Sequence, residues 1–384
     1  MKNNQNRIAL FCIVTSLYWF ALYAYVPTLS TYSKSLGASY KMVGLIIGSY
    51  GFIQMLLRIP LGIVSDTLNK RKIFVITGAV LAFASSLGLW YFPHVGLVLV
   101  FRALAGAAAT AWVTYTVLFS SYFEDEKAPK AIGILNSFNF SGQMAAILLG
   151  SIAAQYFGPQ APFLVASIGG GAALILSFGV TENQVIHRKP LKISEVLTVA
   201  LDGQLLLFST LAILSQFVTF ATVYGFTPVI AQQMGASDFE LGLLTTFATI
   251  PVIFSSFMSG TIFTRWIGER KTIVSGFLIS AFSCIVIPYI QHIYLLYIVQ
   301  FIAGFGRGLA FSLLMGLSIK HVHSAKRATA MGFFQAIYGL GMFLGPVVVG
   351  IFSDTIGLIW GFWTTGLISI LGGFIAYHGT SKNQ

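Results

Sequence analysis

Twelve long apolar runs, separated by short polar breaks, constrain the fold of this chain more than any other feature. A helix that crosses a bilayer needs about 20 mostly apolar residues, and every run approaches that length. Only 9% of the 384 residues are charged, whereas a soluble domain carries about 25%, so a soluble protein is excluded. We therefore predict an all-α membrane protein with twelve transmembrane helices. The approximate spans are 8–29, 42–64, 73–92, 95–119, 130–156, 161–180, 204–229, 239–263, 272–290, 293–318, 328–351 and 357–377.

The positive charges predict an orientation. With both termini in the cytoplasm, only Lys34 and Lys41 lie outside, three arginines lie within spans, and the rest of the 22 Lys and Arg residues lie on the cytoplasmic side. Cytoplasmic loops of helical membrane proteins carry such an excess of positive charge. The net charge of +11 therefore does not indicate a nucleic-acid partner. The short loops and the lack of an organelle presequence favour a multi-pass protein of a bacterial-type inner membrane.

The two halves of the chain resemble each other. A polar segment separates six spans from six, which predicts an N-terminal bundle (1–180), a cytoplasmic linker (181–203) and a C-terminal bundle (204–384). Such pseudo-symmetric six-helix repeats place a binding site between the bundles near the middle of the membrane, with alternating access. Nearly constant shifts of the sequence superpose Gly37-Ala38-Ser39 on Gly235-Ala236-Ser237, Gly44 on Gly242, Gly62 on Gly260, Ala105-Gly106 on Ala303-Gly304, and Gly142 on Gly341.

The segment between the second and third spans carries the most specific motif. It contains Gly62, Asp66 and Arg71 among other basic residues, and with the twelve spans it resembles the major facilitator superfamily. That family has Gly, three residues, Asp, Arg, one residue, Gly and then basic residues here; Thr67 and Asn69 depart from the pattern. The resemblance implies that Gly62, Asp66 and Arg71 form a conformational gate that stabilises the outward-open state. Alternatively, the basic residues only fix the topology.

Arg102 and Arg307 are two of the three arginines that lie inside predicted spans. Placing a charge at the centre of a span costs at least about 2.5 kcal/mol on insertion scales, which makes it a functional candidate. Arg102 in the fourth span begins a motif similar to one in drug–proton antiporters, although Ala105 replaces its Gln. Arg307 lies midway along the tenth span, where it could bind an anionic group or bond to neighbouring helices. The antiporters' Gly-Pro signature is missing from the fifth span and found instead in the eleventh.

Further polar and aromatic residues are candidates for the lining of a cavity. Three amides form a stripe on one face of the fifth span, where they either face a cavity or join helices. The family resemblance implies that the first, fourth, seventh and tenth helices line the central cavity. In addition to the two arginines, the candidates are Trp19, Tyr23, Asn136, Asn139, Gln143, Gln216, Tyr224 and Gln300.

We expect a monomeric secondary transporter for a small organic molecule, with no cofactor, no metal and no enzymatic activity. No catalytic motif is evident, which disfavours an enzyme, and no acidic residue falls in a predicted mid-membrane position, which leaves the group that carries a coupling proton unassigned. The resemblance favours proton-coupled efflux of a drug or metabolite. The alternatives are uptake of an organic anion, with Arg102 and Arg307 as charge partners, and export of a metallophore.

Overall fold

The regular structure of the described chain is entirely helical. A computed structural model describes residues 2–68, 70–124, 127–182, 201–320, 322 and 327–379. The helices of the first half are α1 Lys2–Tyr23, α2 Val26–Ser35, α3 Tyr40–Leu68, α4 Arg71–Tyr91, α5 Val95–Thr110, α6 Trp112–Ser120, α7 Ala128–Phe157 and α8 Ala161–Ser177. Those of the second half are α9 Gly203–Ala221, α10 Thr227–Gln233, α11 Asp238–Met258, α12 Thr264–Val286, α13 Ile293–Leu317, α14 Arg327–Thr355 and α15 Leu358–Gly379.

The helices account for all twelve predicted spans. Ten helical segments of the described chain are long and apolar enough to cross a membrane, and Ala161–Ser177 is a shorter apolar helix. The longest segment, Asp238–Tyr289, has 52 residues and contains the eighth and ninth predicted spans. Gly268 divides it, because its φ of 82° and ψ of 162° are not helical. The prediction of an all-α membrane protein is therefore confirmed.

Two of the spans contain a break that precedes a proline. The first span changes from α1 to α2 just before Pro27, and the seventh contains a π-helical turn, Thr222–Phe226, just before Pro228. A proline has no N–H and its ring crowds the carbonyl four residues earlier. That carbonyl belongs to Tyr23 in the first span and to Tyr224 in the seventh, so equivalent spans of the two halves are distorted for the same reason.

The chain forms two compact units. One contains Met1–Leu29 and Leu56–Pro190, and the other contains Ser30–Met55 and Leu191–Gln384. Helix α3 is therefore shared, with its first part in the second unit. The two-bundle division at 181–203 stays a prediction, since most of that linker lies outside the described residues.

Glycines bring helices into close contact within each unit. In the first unit, a Cβ on Gly142 of α7 would lie 2.3 Å from the carbonyl oxygen of Ser16 in α1. In the second unit, a Cβ on Gly341 of α14 would lie 2.0 Å from the carbonyl oxygen of Ile213 in α9. Small residues allow such backbone approach between membrane helices. Gly142 and Gly341 are a pair that the internal duplication superposes, and they make the same kind of contact.

Candidate functional site

Arg102 of α5 is buried in the first unit beside the break in the first span. Its side chain is 3% exposed, and its Nη1 donates a hydrogen bond to the Tyr25 hydroxyl over 3.3 Å. The guanidinium carbon lies 5.6 Å from the centre of the Tyr25 ring, a distance compatible with a cation–π interaction. Tyr25 follows the last residue of α1 by two positions and is fully buried. The arginine thus links the fourth span to the interruption of the first span.

Aromatic side chains surround Trp19 on α1. Its ring centre lies 5.8 Å from that of Tyr23 and 5.3 Å from that of Trp112. Trp19 is 7% exposed, and its Nε1–H has no hydrogen-bond partner among the described residues. A buried donor without a partner costs stability, and it would gain a bond if an acceptor on a bound molecule reached it. Trp112, at the start of α6, is not among the residues predicted from the sequence, and its ring packs against that of Trp19.

Two of the three amide side chains in the stripe on α7 bond to each other. Nε2 of Gln143 donates to Oδ1 of Asn139, one turn earlier on the same helix. Asn139 is buried, while Asn136 and Gln143 are half-buried. The structure brings Asn139 and Gln143 together as an intrahelical pair.

Arg307 of α13 is the corresponding buried charge in the second unit. It is 6% exposed, and its Nη2 donates to the carbonyl oxygen of Ala248 in α11 over 2.9 Å. A Cβ on Gly304, one turn earlier, would lie 2.4 Å from the same oxygen, so the glycine lets α11 and α13 approach closely enough for this bond. Among the described residues, no carboxylate lies within ion-pair distance of Arg307.

Gln300 lies two turns before Arg307 on α13. It is 1% exposed, and its Nε2 donates to Oγ1 of Thr227 over 3.2 Å. Its Oε1 has no hydrogen-bond partner in the described part of the chain. Tyr224 and Gln216 are both half-buried, and Tyr224 lies in the π-helical turn before Thr227. A π-helical turn often marks a functional position in a helix.

The structure describes part of the predicted gate. A Cβ on Gly62 would meet no atom within 4 Å, and the side chain of Asp66 lies outside the described residues. Arg71 is the first residue of α4, and its side chain is buried. Its backbone N–H donates to Oε1 of Glu182, which caps the start of α4. The structure thus places Arg71 within the first unit. The capping role of Glu182 is not predicted from the sequence.

A buried tyrosine lies beside this capped end of α4. The hydroxyl of Tyr122 donates to the carbonyl oxygen of Thr181, next to Glu182 in the chain. Burial raises the pKa of the Tyr122 phenol, so the hydroxyl stays protonated and remains a donor. The Nζ of Lys72 donates to the carbonyl oxygen of Phe178 over 2.8 Å. The Tyr122 bond holds the end of the fourth span against the end of the sixth. The Lys72 bond holds the start of the third span against the same end.

Comparisons with known proteins agree with the helical architecture. The family model described as Major Facilitator Superfamily matches residues 11–226 and 208–383. An uncharacterized MFS-type transporter of Methanocaldococcus jannaschii is 25% identical over 362 residues, which cover 91% of this chain and 92% of that protein. An inward-facing, unoccupied bacterial homolog of the human lysosomal transporter Spinster superposes with a TM-score of 0.82 at 14% identity, covering 97% of this chain and 96% of that one. The human organic anion transporter MFSD10 superposes with a TM-score of 0.69 at 15% identity, covering 97% and 99%.

Proposed function

The chain belongs to the Major Facilitator Superfamily, and we propose that it exports a small organic molecule by alternating access, driven by protons. As a member of that family it is a multi-pass membrane transporter and not an enzyme. Export, proton coupling, a bacterial-type inner membrane and cytoplasmic termini are the parts of the proposal that need an experiment. In the first unit, the proposed solute-binding groups are the aromatic rings around Trp19. In the second unit, they are the polar groups near Arg307.

The contact between Arg102 and Tyr25 carries the proposal. A buried charge in a span is expensive, and such charges mark functional positions. This one bonds to a tyrosine at the break in the first span, and Trp19 and Tyr23 precede that break on α1. A solute bound against these rings would therefore act on the segment that Arg102 holds. The resemblance of the Arg102 motif to that of drug–proton antiporters supports the assignment of the proton as the coupling ion.

The test is proton movement in proteoliposomes that contain a pH-sensitive dye and carry an imposed proton gradient. Lipophilic cations, neutral drugs and organic anions are added separately. We expect cations or neutral compounds to trigger proton release, and Arg102→Ala to abolish it. Arg58→Ala is the matched control, because Arg58 is also buried in a span. Proton release that persists in Arg102→Ala would contradict the proposal.

A second candidate function is uptake of an organic anion, favoured by the environment of Arg307. This buried cation bonds to a backbone carbonyl, without a described carboxylate beside it, so it retains a positive charge for a ligand. The buried Nε2 of Gln300 lies on the same helix. MFSD10, which has a similar fold, is an organic anion transporter. A response to anions alone, lost in Arg307→Ala, would favour this function over export.

A further inference from the structure

The carboxylate of Asp354 caps the start of helix α3. Asp354 is the second-last residue of α14. Its Oδ1 accepts a hydrogen bond from the backbone N–H of Tyr40 over 2.8 Å, and its Oδ2 accepts one from the N–H of Lys41, also over 2.8 Å. The first backbone N–H groups of a helix have no partner within the helix, and the helix dipole favours a negative charge there. One side chain thus satisfies two of these donors on a helix far away in sequence.

Other side chains surround the same end of α3. The Nζ of Lys34 lies 4.0 Å from the centre of the Tyr40 ring, and the Tyr40 hydroxyl accepts a hydrogen bond from Nε2 of Gln233 over 3.2 Å. The Lys34 charge and the Ser39 hydroxyl also stabilise the ionised carboxylate of Asp354. The negative charge of Asp354 therefore lies beside a lysine, a hydroxyl and a helix N-terminus.

Backbone packing fixes the same two helices along their length. A Cβ on Gly350 of α14 would lie 2.4 Å from the carbonyl oxygen of Tyr40, and a Cβ on Gly44 of α3 would lie 2.1 Å from that of Pro346. A Cβ on Gly48 would lie 2.7 Å from the carbonyl oxygen of Phe343. The contact is thus a close seam of backbone and apolar side chains, and Asp354 supplies a charge-assisted bond at its end.

We propose that Asp354 is a latch that holds the start of α3 against α14 in one state of the transport cycle and releases it in the other. The inference rests on the proposed function, because alternating access requires helices to separate. Helix α3 is continuous from Tyr40 to Leu68, yet its first part packs in the second unit and the rest belongs to the first. The division between the units falls between Met55 and Leu56 within α3, so movement of the units would either bend α3 there or pull its start away from α14. A charge-assisted pair of hydrogen bonds resists that release more than apolar contact does.

Thiol labelling of a reporter cysteine tests the latch without any transported solute. Val43 lies one turn into α3 and is fully buried, so Val43→Cys reacts with a water-soluble maleimide only when this end of α3 is released. The two native cysteines, Cys12 and Cys284, are free and buried, and both are replaced by alanine in every variant. Labelling is measured on monodisperse protein in detergent, where sidedness has no influence.

We expect Asp354→Asn to label about five to ten times faster than the parent, because an amide keeps one acceptor but loses the charge. Asp354→Ala should label faster still, and Asp354→Glu should stay near the parental rate because it restores a carboxylate. Thr355→Ala is the local control, since among the described residues the Thr355 hydroxyl bonds only to carbonyls of its own helix. Asp238→Asn is the charge control, since it removes an equal charge from the start of α11.

Parental labelling rates in both Asp354→Asn and Asp354→Ala would overturn the latch. Equal acceleration by Asp238→Asn would also overturn it, because total charge and not the cap would then be responsible. The transport assay on the same variants separates the two hypotheses. Faster labelling without transport of any solute by the parent would retain the latch and refute the proposed function.

Discussion

A methyl group added to Gly150 should destabilise the first unit, whereas the same change at Gly133 should not. Both glycines lie on α7. A Cβ on Gly150 would lie 1.8 Å from the carbonyl oxygen of Ala24 in the first span, and a Cβ on Gly133 would meet no atom within 4 Å. Carbon–oxygen contacts below about 3 Å are repulsive, since non-bonded atoms prefer about 3.5 Å. The two segments must therefore separate by more than about 1 Å, and the neighbouring backbone atom cannot rotate away.

The magnitude follows from two opposing effects. Overpacking costs about 1–3 kcal/mol, and this contact belongs at the upper end because it is with backbone. Replacing glycine by alanine in a helix recovers up to about 1 kcal/mol. The net loss in Gly150→Ala is about 2 kcal/mol, which lowers the melting temperature of a domain of this size by about 4–8 °C. Gly133→Ala gains the helical preference alone and should melt at or slightly above the parental temperature.

A thiol-reactive dye can follow the melting, because both native cysteines are buried in the folded protein and react when it unfolds. Cys12 belongs to the first unit and Cys284 to the second, so single Cys→Ala variants report on each unit. The loss should be larger in the signal from Cys12. If Gly150→Ala and Gly133→Ala melt within about 1 °C of each other, the close contact between α7 and the first span does not exist as described.

Three further predictions test individual residues. Arg307→Ala should impair transport more than Arg58→Ala, measured as initial rates in proteoliposomes; equal rates would remove Arg307 from the proposed site. Asp66→Asn should slow the access cycle but leave solute affinity within about twofold, measured by exchange kinetics and equilibrium binding; weakened binding with normal cycling would contradict the gate. Glu182→Gln should lower stability by about 1 kcal/mol because it weakens the cap of α4, visible in thermal melting. Glu124→Gln should change stability little, since Glu124 is exposed and its ion pair with Lys127 lies at the surface.

The sequence sufficed for the spans because bilayer thickness imposes their length. The helix interruptions in the first and seventh spans are not predicted from the sequence, although each of these spans contains a proline. Pro27 and Pro228 each follow a tyrosine by four residues, and a proline disturbs the helix around that residue. Tyr23 and Tyr224 were chosen from the sequence for their rings, yet their backbone is distorted in the structure as well. A proline alone does not predict a break, because Pro60 and Pro346 lie inside continuous helices.

The partners of the buried charges could not be predicted from sequence. Arg102 was identified by its position in a span, but its bond to Tyr25 depends on how α5 packs against the first span. Arg307 bonds to the backbone of Ala248, and a backbone acceptor has no residue-type signature. The sequence places Glu182 in the linker, because it follows the sixth span directly. Its role as a cap becomes visible only when the start of α4 lies beside it.

Asp66 and Asp354 should act in opposite directions, because they lie at different ends of α3. Asp66 is in its last turn, about 39 Å from Tyr40 at a rise of 1.5 Å per residue, so the two effects should add independently. The resemblance implies that Asp66 stabilises the state open to the outside, and the latch stabilises the state in which the start of α3 is held. Asp66→Asn should therefore slow labelling of Val43→Cys, Asp354→Asn should accelerate it, and the double variant should label within about twofold of the parent. Acceleration by Asp66→Asn would show that the two carboxylates do not stabilise opposite states.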